Sequence, residues 1–199
     1  ETLLSRLQVT TNNPHLSPVH RIDRGTAGLV LFCKQVKHRG LYQNLFKKRQ
    51  VQKEYLAVCH VETQAKKLDE QETQIWKHQI VKANTIKASA PWFTMGVNPQ
   101  SQLSNAETEM RYLGANASGH VTLRVRPITG RKHQLRVQLA HMGYPIVNDP
   151  FYPITQDEGP DCFDQPLQLL AAQLGFVDPI TQCELSFKST RQLKYAAKI

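Results

Sequence analysis

The segment Val121-Thr122-Leu123-Arg124-Val125-Arg126-Pro127-Ile128-Thr129-Gly130-Arg131-Lys132-His133-Gln134-Leu135-Arg136 changes period halfway along its length. Val121, Leu123 and Val125 alternate with Thr122, Arg124 and Arg126, the pattern of a strand with one buried face. Pro127 cannot donate to a sheet ladder and stops the strand. Beyond it, Leu135, Leu139 and Met142 fall on one stripe of a helix predicted over 133–142. Gly143 stands where a C-terminal cap is expected, and Pro145 forbids continuation.

Working outward, the same contrast recurs. Gly28 opens Leu29-Val30-Leu31-Phe32-Cys33, an apolar run of strand length. Residues 38–49 read as a helix, with Leu41 and Leu45 four apart and Lys47-Lys48-Arg49 suited to a helix C-terminus. Glu54–Cys59 is a second buried strand, Glu107–Leu113 a third, and Leu167–Ala172 a further apolar segment before Leu185 and Phe187. Residues 11–18 read as a loop, 63–74 as a solvated excursion, and Pro91, Gly96 and Pro99 as loop markers. Strands dominate without a regular strand-helix-strand rhythm. The prediction is an α+β (mixed α/β) fold with a largely antiparallel central sheet and flanking helices, forming one domain over 1–199.

Composition bounds the function. The chain has 199 residues, 25 Lys plus Arg against 16 Asp plus Glu, and a net charge of +9, which favours a polyanionic partner. No apolar run approaches the roughly 20 residues of a membrane span, so no membrane partner is expected. Cys33, Cys59, Cys162 and Cys183 are widely spaced and contain no Cys-x-x-Cys pair; reduced thiols in a cytoplasmic protein are expected. The opening Glu1-Thr2-Leu3-Leu4-Ser5 lacks the features of a signal peptide. The histidines lack ligand spacing, with His133 and His141 eight apart, so no metal is expected. No phosphate-cradling or dinucleotide loop occurs, so no cofactor is expected either.

Two segments concentrate polar groups beside buried elements. His20-Arg21-Ile22-Asp23-Arg24-Gly25-Thr26-Ala27-Gly28 lies between a Pro-rich loop and an apolar run, with Asp23 flanked by Arg21 and Arg24. It is either a functional loop or a turn capped by Asp with solvated arginines. The second segment is Thr129-Gly130-Arg131-Lys132-His133-Gln134-Leu135-Arg136. Thr129 is placed to cap the helix, and the cations beside free backbone N–H groups suit a phosphate; a solvated basic helix start is the plainer alternative. Arg136 lies between core-facing Leu135 and Val137, so it needs a partner, and Asp23 is the candidate. Tyr55 is a core aromatic or, beside a nucleic-acid site, a stacking platform worth roughly 1–3 kcal/mol.

Taken in order, these segments resemble the A-type pseudouridine synthase family that modifies the large ribosomal RNA. That family's His-Arg-Leu-Asp-x-x-Thr-Ser-Gly element reads His20 to Gly28 here, with Ile22 for Leu and Ala27 for Ser. Lys-x-Tyr-x-Ala reads Lys53-Glu54-Tyr55-Leu56-Ala57. Pro-x-Thr-Gly-Arg-x-His-Gln-x-Arg is complete from Pro127 to Arg136, followed by His141-Met142-Gly143-Tyr144-Pro145-Ile146, with Asp149 and Tyr152 in the next turn. A late Leu-Leu-His-Ala element reads Leu169-Leu170-Ala171-Ala172. The family's opening Lys-Pro-x-Gly stretch has no counterpart here, and no S4-type RNA-binding domain is expected.

The resemblance implies an RNA-modifying isomerase acting on ribosomal or transfer RNA as a monomer, without cofactor or metal. It implies that Asp23 is the catalytic carboxylate, that Arg136 pairs with it and holds its pKa down, and that Tyr55 stacks on the target base. It also implies that Arg21 fills the space vacated by the flipped nucleotide. His20, Arg24, Thr26, Lys53, Thr129, Gly130, Arg131, Lys132, His133 and Gln134 complete the RNA-binding set. Two other functions fit the residues: a noncatalytic RNA-binding module of the same fold, and a hydrolase or nuclease built on His20, Asp23 and His133.

Overall fold

The structure is a computed structural model that describes residues 2–69, 71–154 and 163–197. In chain order its elements are α1 (Leu3–Thr10), β1 (Ser17–Pro18), β2 (Ala27–Gly28), β3 (Phe32–Cys33), α2 (Arg39–Lys47), β4 (Gln52–Cys59), β5 (Gln74–His78), β6 (Ile80–Lys82) and β7 (Met95–Val97). The second half adds β8 (Ala106–Ala115), β9 (Val121–Pro127), α3 (Gln134–His141), β10 (Leu169–Val177) and β11 (Glu184–Lys188). The main sheet runs β11-β10-β4-β9-β8-β5, antiparallel at every step, with β2 joined to β10 in parallel. The α+β reading with a mostly antiparallel sheet is what the fold shows.

β9 follows the alternation of its sequence except at Thr122, which is fully buried, its hydroxyl accepting the Ala197 N–H. Val121, Leu123 and Val125 point into the core beside Ala57 and Cys59 of β4, whereas Arg126 is exposed. Leu135, Leu139 and Met142 of the α3 stripe join the same cluster, so sheet and helix share one apolar centre. Gly143 has φ +83 and its N–H bonds the Ala140 carbonyl; a Cβ there would lie 2.5 Å from the Ala65 Cα.

Gly28 sits at another close approach. Its φ is +103, and a Cβ would fall 2.2 Å from the Ala171 carbonyl oxygen across the β2–β10 contact. That contact fixes the His20–Gly28 loop against the middle of the sheet, one strand from Tyr55, which pairs with Ala171.

Several expectations are corrected. Residues 29–33 are not one strand: only Phe32 and Cys33 pair, with β1. The Leu29 N–H bonds the Ala171 carbonyl and the Leu31 N–H bonds the His20 ring, so the backbone is satisfied without a ladder. Leu29 and Leu31 still pack in a second cluster with Leu45, Val51, Leu174 and Phe176. The 63–74 stretch is anchored, because Ala65 and Leu68 pack on the core and the Lys66 N–H bonds the Met142 carbonyl. α1, capped by Thr2 and Ser5 reciprocally, is an element beyond those the sequence pattern marks. Cys33 and Cys59 are buried free thiols and Cys183 is exposed; Cys162 lies outside the described residues.

Candidate active site

Three pieces of chain meet over the sheet to enclose an open groove of about 640 Å³. The early loop brings Arg21, Asp23 and Thr26. The end of α2 brings Lys47, and the connection to β4 brings Arg49 and leads into Lys53 and Tyr55. The turn between β9 and α3 brings Thr129, Gly130, Arg131 and Lys132. Asp23 is the sole carboxylate among the lining residues, facing six cations: Arg21, Lys47, Arg49, Lys53, Arg131 and Lys132.

Local hydrogen bonds explain how Asp23 is held. The Thr26 N–H bonds the Asp23 carbonyl at 3.0 Å, and Gly25 takes φ +85 in the turn. Before the turn, the His20 ring stacks on Phe46 at 4.4 Å and its Nε2 accepts the Leu31 N–H at 2.9 Å. Burial lowers the pKa of His20 to about 4, so the ring stays neutral and can act as an acceptor. His20 therefore braces the loop from within; its ring is already occupied by the protein.

Asp23 itself is half-buried. Burial raises its carboxyl above the ordinary value, and the Arg136 and Arg21 guanidiniums oppose that shift, while Asp149 adds to it. The expected lowering is thus reversed, because desolvation outweighs the cations. Tyr55 is raised to about 12 by burial and by the Asp23 charge, which marks a neutral phenol beside the carboxylate. Lys53 is lowered, by burial first and then by Arg49; its Nζ lies 3.5 Å from the Thr129 carbonyl.

Arg136 does not take Asp23 as its hydrogen-bonded partner. It is 1% exposed, and its Nε and Nη2 donate to the two oxygens of Asp149, with Nε–Oδ2 at 2.8 Å. The Asp149 Oδ1 also accepts the Phe151 and Tyr152 N–H groups. The guanidinium lies over Phe151 at 4.9 Å and Tyr152 at 5.3 Å. The sequence established that Arg136 needs a buried acid; two acids lie within reach in the fold, and the one after α3 has the bidentate geometry. Arg136 Nη1 is buried and has no hydrogen-bond partner among the described residues.

The turn is braced likewise from beneath. Thr129 is not a helix cap. Its hydroxyl donates to Gln134 Oε1 and accepts the Glu107 N–H, tying the turn to β8. Gln134 accepts the Arg131 N–H and donates to Thr108 and the Glu107 carbonyl, so its amide faces protein. The residue that opens α3 is His133 in a left-handed conformation, φ +54, without a side-chain cap. Its Nδ1 lies 2.8 Å from the Tyr152 hydroxyl, and burial lowers its pKa to about 4. His133 is 7% exposed and is absent from the groove lining, so it is not placed to hold a phosphate.

Of the fourteen residues singled out from sequence, eleven line the groove, and Arg24, His133 and Arg136 do not. Arg24 is exposed on the turn beside Asp23. The sequence reading missed Phe46, Lys47, Arg49 and Asp149. Asp149 carried two signals, Arg136's need for an acid and its match to the family's turn after Ile146; nothing local marked the other three as groove residues.

The sequence model of the RNA pseudouridylate synthase family matches residues 1–141, and the chain belongs to that family. The dual-specificity RNA pseudouridine synthase of Vibrio vulnificus is 31% identical over 181 residues, 90% of this chain and 66% of that protein. The tRNA pseudouridine synthase C of Pasteurella multocida is 30% identical over 86% of this chain and 71% of that protein. Among solved structures, human RNA pseudouridylate synthase domain containing 1 superposes with a TM-score of 0.71 at 22% identity, covering 93% of this chain and 74% of that one, a likeness of fold. The chain spans about two thirds of the length of the first of these relatives.

Proposed function

We propose that this chain isomerises uridine to pseudouridine within ribosomal or transfer RNA, with Asp23 as the catalytic carboxylate. The observation that carries the reading is the position of Asp23: half-buried, beside Tyr55, in a groove of nucleotide scale whose other charged lining groups are all cationic apart from neutral His20. The cations of the β9–α3 turn, Arg131 and Lys132, suit a phosphate next to one extruded nucleotide.

The reaction breaks the N1–C1′ bond and makes a C5–C1′ bond. The C5 hydrogen is lost and N1 regains one, so the composition is unchanged. The carboxylate has to be ionised to attack or to remove a proton. In this site the charged form is disfavoured by burial and supported by Arg136 and Arg21. Flipping the uridine costs a few kcal/mol, which stacking on Tyr55 offsets in part. On this reading Arg21, which is exposed and lines the groove, enters the space left in the RNA.

The test is Asp23→Asn. It abolishes pseudouridine formation, measured by mapping RNA incubated with the protein, while RNA binding persists. Because burial disfavours the ionised carboxyl, this variant unfolds no earlier than the parent. Pseudouridine made by the variant would refute the assignment. RNA bound by the parent but never isomerised would favour the noncatalytic module, and strand cleavage would favour the nuclease.

A further inference from the structure

The groove has a wall that the reaction does not use. Lys47 closes the last turn of α2, and Arg49 follows two residues later, before β4 begins at Gln52. Both line the groove with Arg21 and Lys53, while Arg131 and Lys132 line it from the β9–α3 turn. None of these six cations is salt-bridged to a carboxylate among the described residues; the ion pairs there are Lys77–Glu107, Arg124–Glu54, Arg126–Glu54 and Arg136–Asp149.

The backbone at Arg49 sharpens the point. Arg49 has φ +57 and ends α2: the Gln50 N–H bonds the Leu45 carbonyl at 2.8 Å and the Arg49 N–H bonds the Phe46 carbonyl at 3.1 Å. Such a helix end favours glycine. Arginine there carries a conformational cost, and it sits close enough to Lys53 for the two charges to repel. The partial negative charge at the end of α2 accounts for one nearby cation. It does not account for a strained arginine lining the same groove as five other cations.

We propose that Lys47 and Arg49 bind backbone phosphates of the RNA strand that threads the groove, forming with Arg131 and Lys132 a two-sided clasp around the target nucleotide. The proposal rests on the reading of this groove as an RNA site. It implies that a polynucleotide is held on both walls, so that a single uridine nucleotide forfeits most of the affinity.

The probe is a fluorescent single-stranded RNA oligonucleotide containing uridine, titrated by anisotropy from about 0.05 to about 1 M salt. Arg49→Gly and Lys47→Ala each reduce the slope of log affinity against log salt by about 0.7–0.9. That corresponds to about fivefold to eightfold weaker binding at 0.1 M salt, a loss that fades towards 1 M. Lys188→Ala, an exposed cation on β11, leaves the slope within error of the parent. Arg49→Gly relieves the left-handed arginine, so its melting temperature is not lowered and weaker binding is not unfolding. A parental salt slope in both variants overturns the clasp. Pseudouridine is measured in parallel. A parental slope with product forming overturns the clasp alone; a reduced slope with no product on any RNA sinks the isomerase reading and supports the clasp.

Discussion

Removing the carboxylate of Asp149 should damage this protein more than removing the guanidinium of Arg136, although the two form one buried pair. The side chains are 1% and 0% exposed. Breaking such a pair from one side costs about 3–5 kcal/mol. The two ions left behind differ. A stranded carboxylate can escape by taking a proton, which costs about 4 kcal/mol at pH 7 and about 1.5 kcal/mol at pH 5 for an ordinary aspartate. In Arg136→Met it also keeps the Phe151 and Tyr152 N–H groups. A stranded guanidinium does not deprotonate, and Asp23, the other acid within reach, is itself disfavoured as an anion by burial. In Asp149→Ala, those two N–H groups are orphaned as well, at about 1–3 kcal/mol each where buried. Asp149→Ala therefore falls at or beyond the upper end of the range, and its deficit does not shrink on acidification. Arg136→Met costs less, and its deficit shrinks by up to about 2.5 kcal/mol between pH 7 and 5. At about 2–4 °C per kcal/mol for a chain of this size, Asp149→Ala lowers the melting temperature by about 10–20 °C. The assay is urea unfolding of the parent, both variants and the double variant at pH 7 and pH 5. The double variant should be less destabilised than the sum of the singles. Additive costs, or equal pH dependence in the two singles, would refute the reasoning.

Two further predictions concern the frame of the site. The histidines His20, His78 and His133 all have pKa values lowered to about 4 by burial, so the folded protein keeps them neutral where the unfolded chain charges them. Stability is fully present above about pH 6.5 and falls as pH drops towards 4, these three rings giving a slope of up to three protons, to which the lowered His60 and His141 add and which Asp23's raised pKa opposes. A urea midpoint unchanged between pH 7 and 5 would contradict it. Gly28→Ala should cost about 2–6 kcal/mol, from backbone strain and from the clash with Ala171, and should detach the Asp23 loop. A urea midpoint within error of the parent would mean that the loop does not depend on the β2–β10 contact.

Local pattern made much of this legible. β9 and α3 appear where the change of period places them, and Leu135, Leu139 and Met142 are in the core as their spacing requires. Asp23, Tyr55 and the Thr129–Lys132 turn converge on one groove. What local pattern could not supply was direction. His20 and His133 read as polar groups of a site, yet each ring is turned to a protein partner, Leu31 in one case and Tyr152 in the other. Arg136 announced its need for an acid, but the choice between Asp23 and Asp149 depends on where the chain goes after Gly143. Lys47 and Arg49 read correctly as the end of a helix. Only the packing of Leu45 and Val51 with Leu174 and Phe176 turns that end towards the groove.

The substitution of Asp149 for Asp23 as the arginine's partner changes how the carboxylate is controlled. Had Arg136 paired directly with Asp23, the two would have neutralised each other, and any step using the carboxylate would first have had to break a strong bidentate contact. With Asp149 taking Nε and Nη2, the guanidinium is fixed in place and acts on Asp23 through space, while the Asp149 charge opposes it. Asp23 then experiences the difference between a near cation and a near anion, together with burial that favours its neutral form. Such a carboxylate is sensitive to small shifts of the pair and to Arg21 at the groove edge. If Arg21 leaves Asp23 to enter the RNA, one cationic support is withdrawn as the nucleotide arrives, and the ionised carboxylate becomes costlier and more basic just where a base or nucleophile is required.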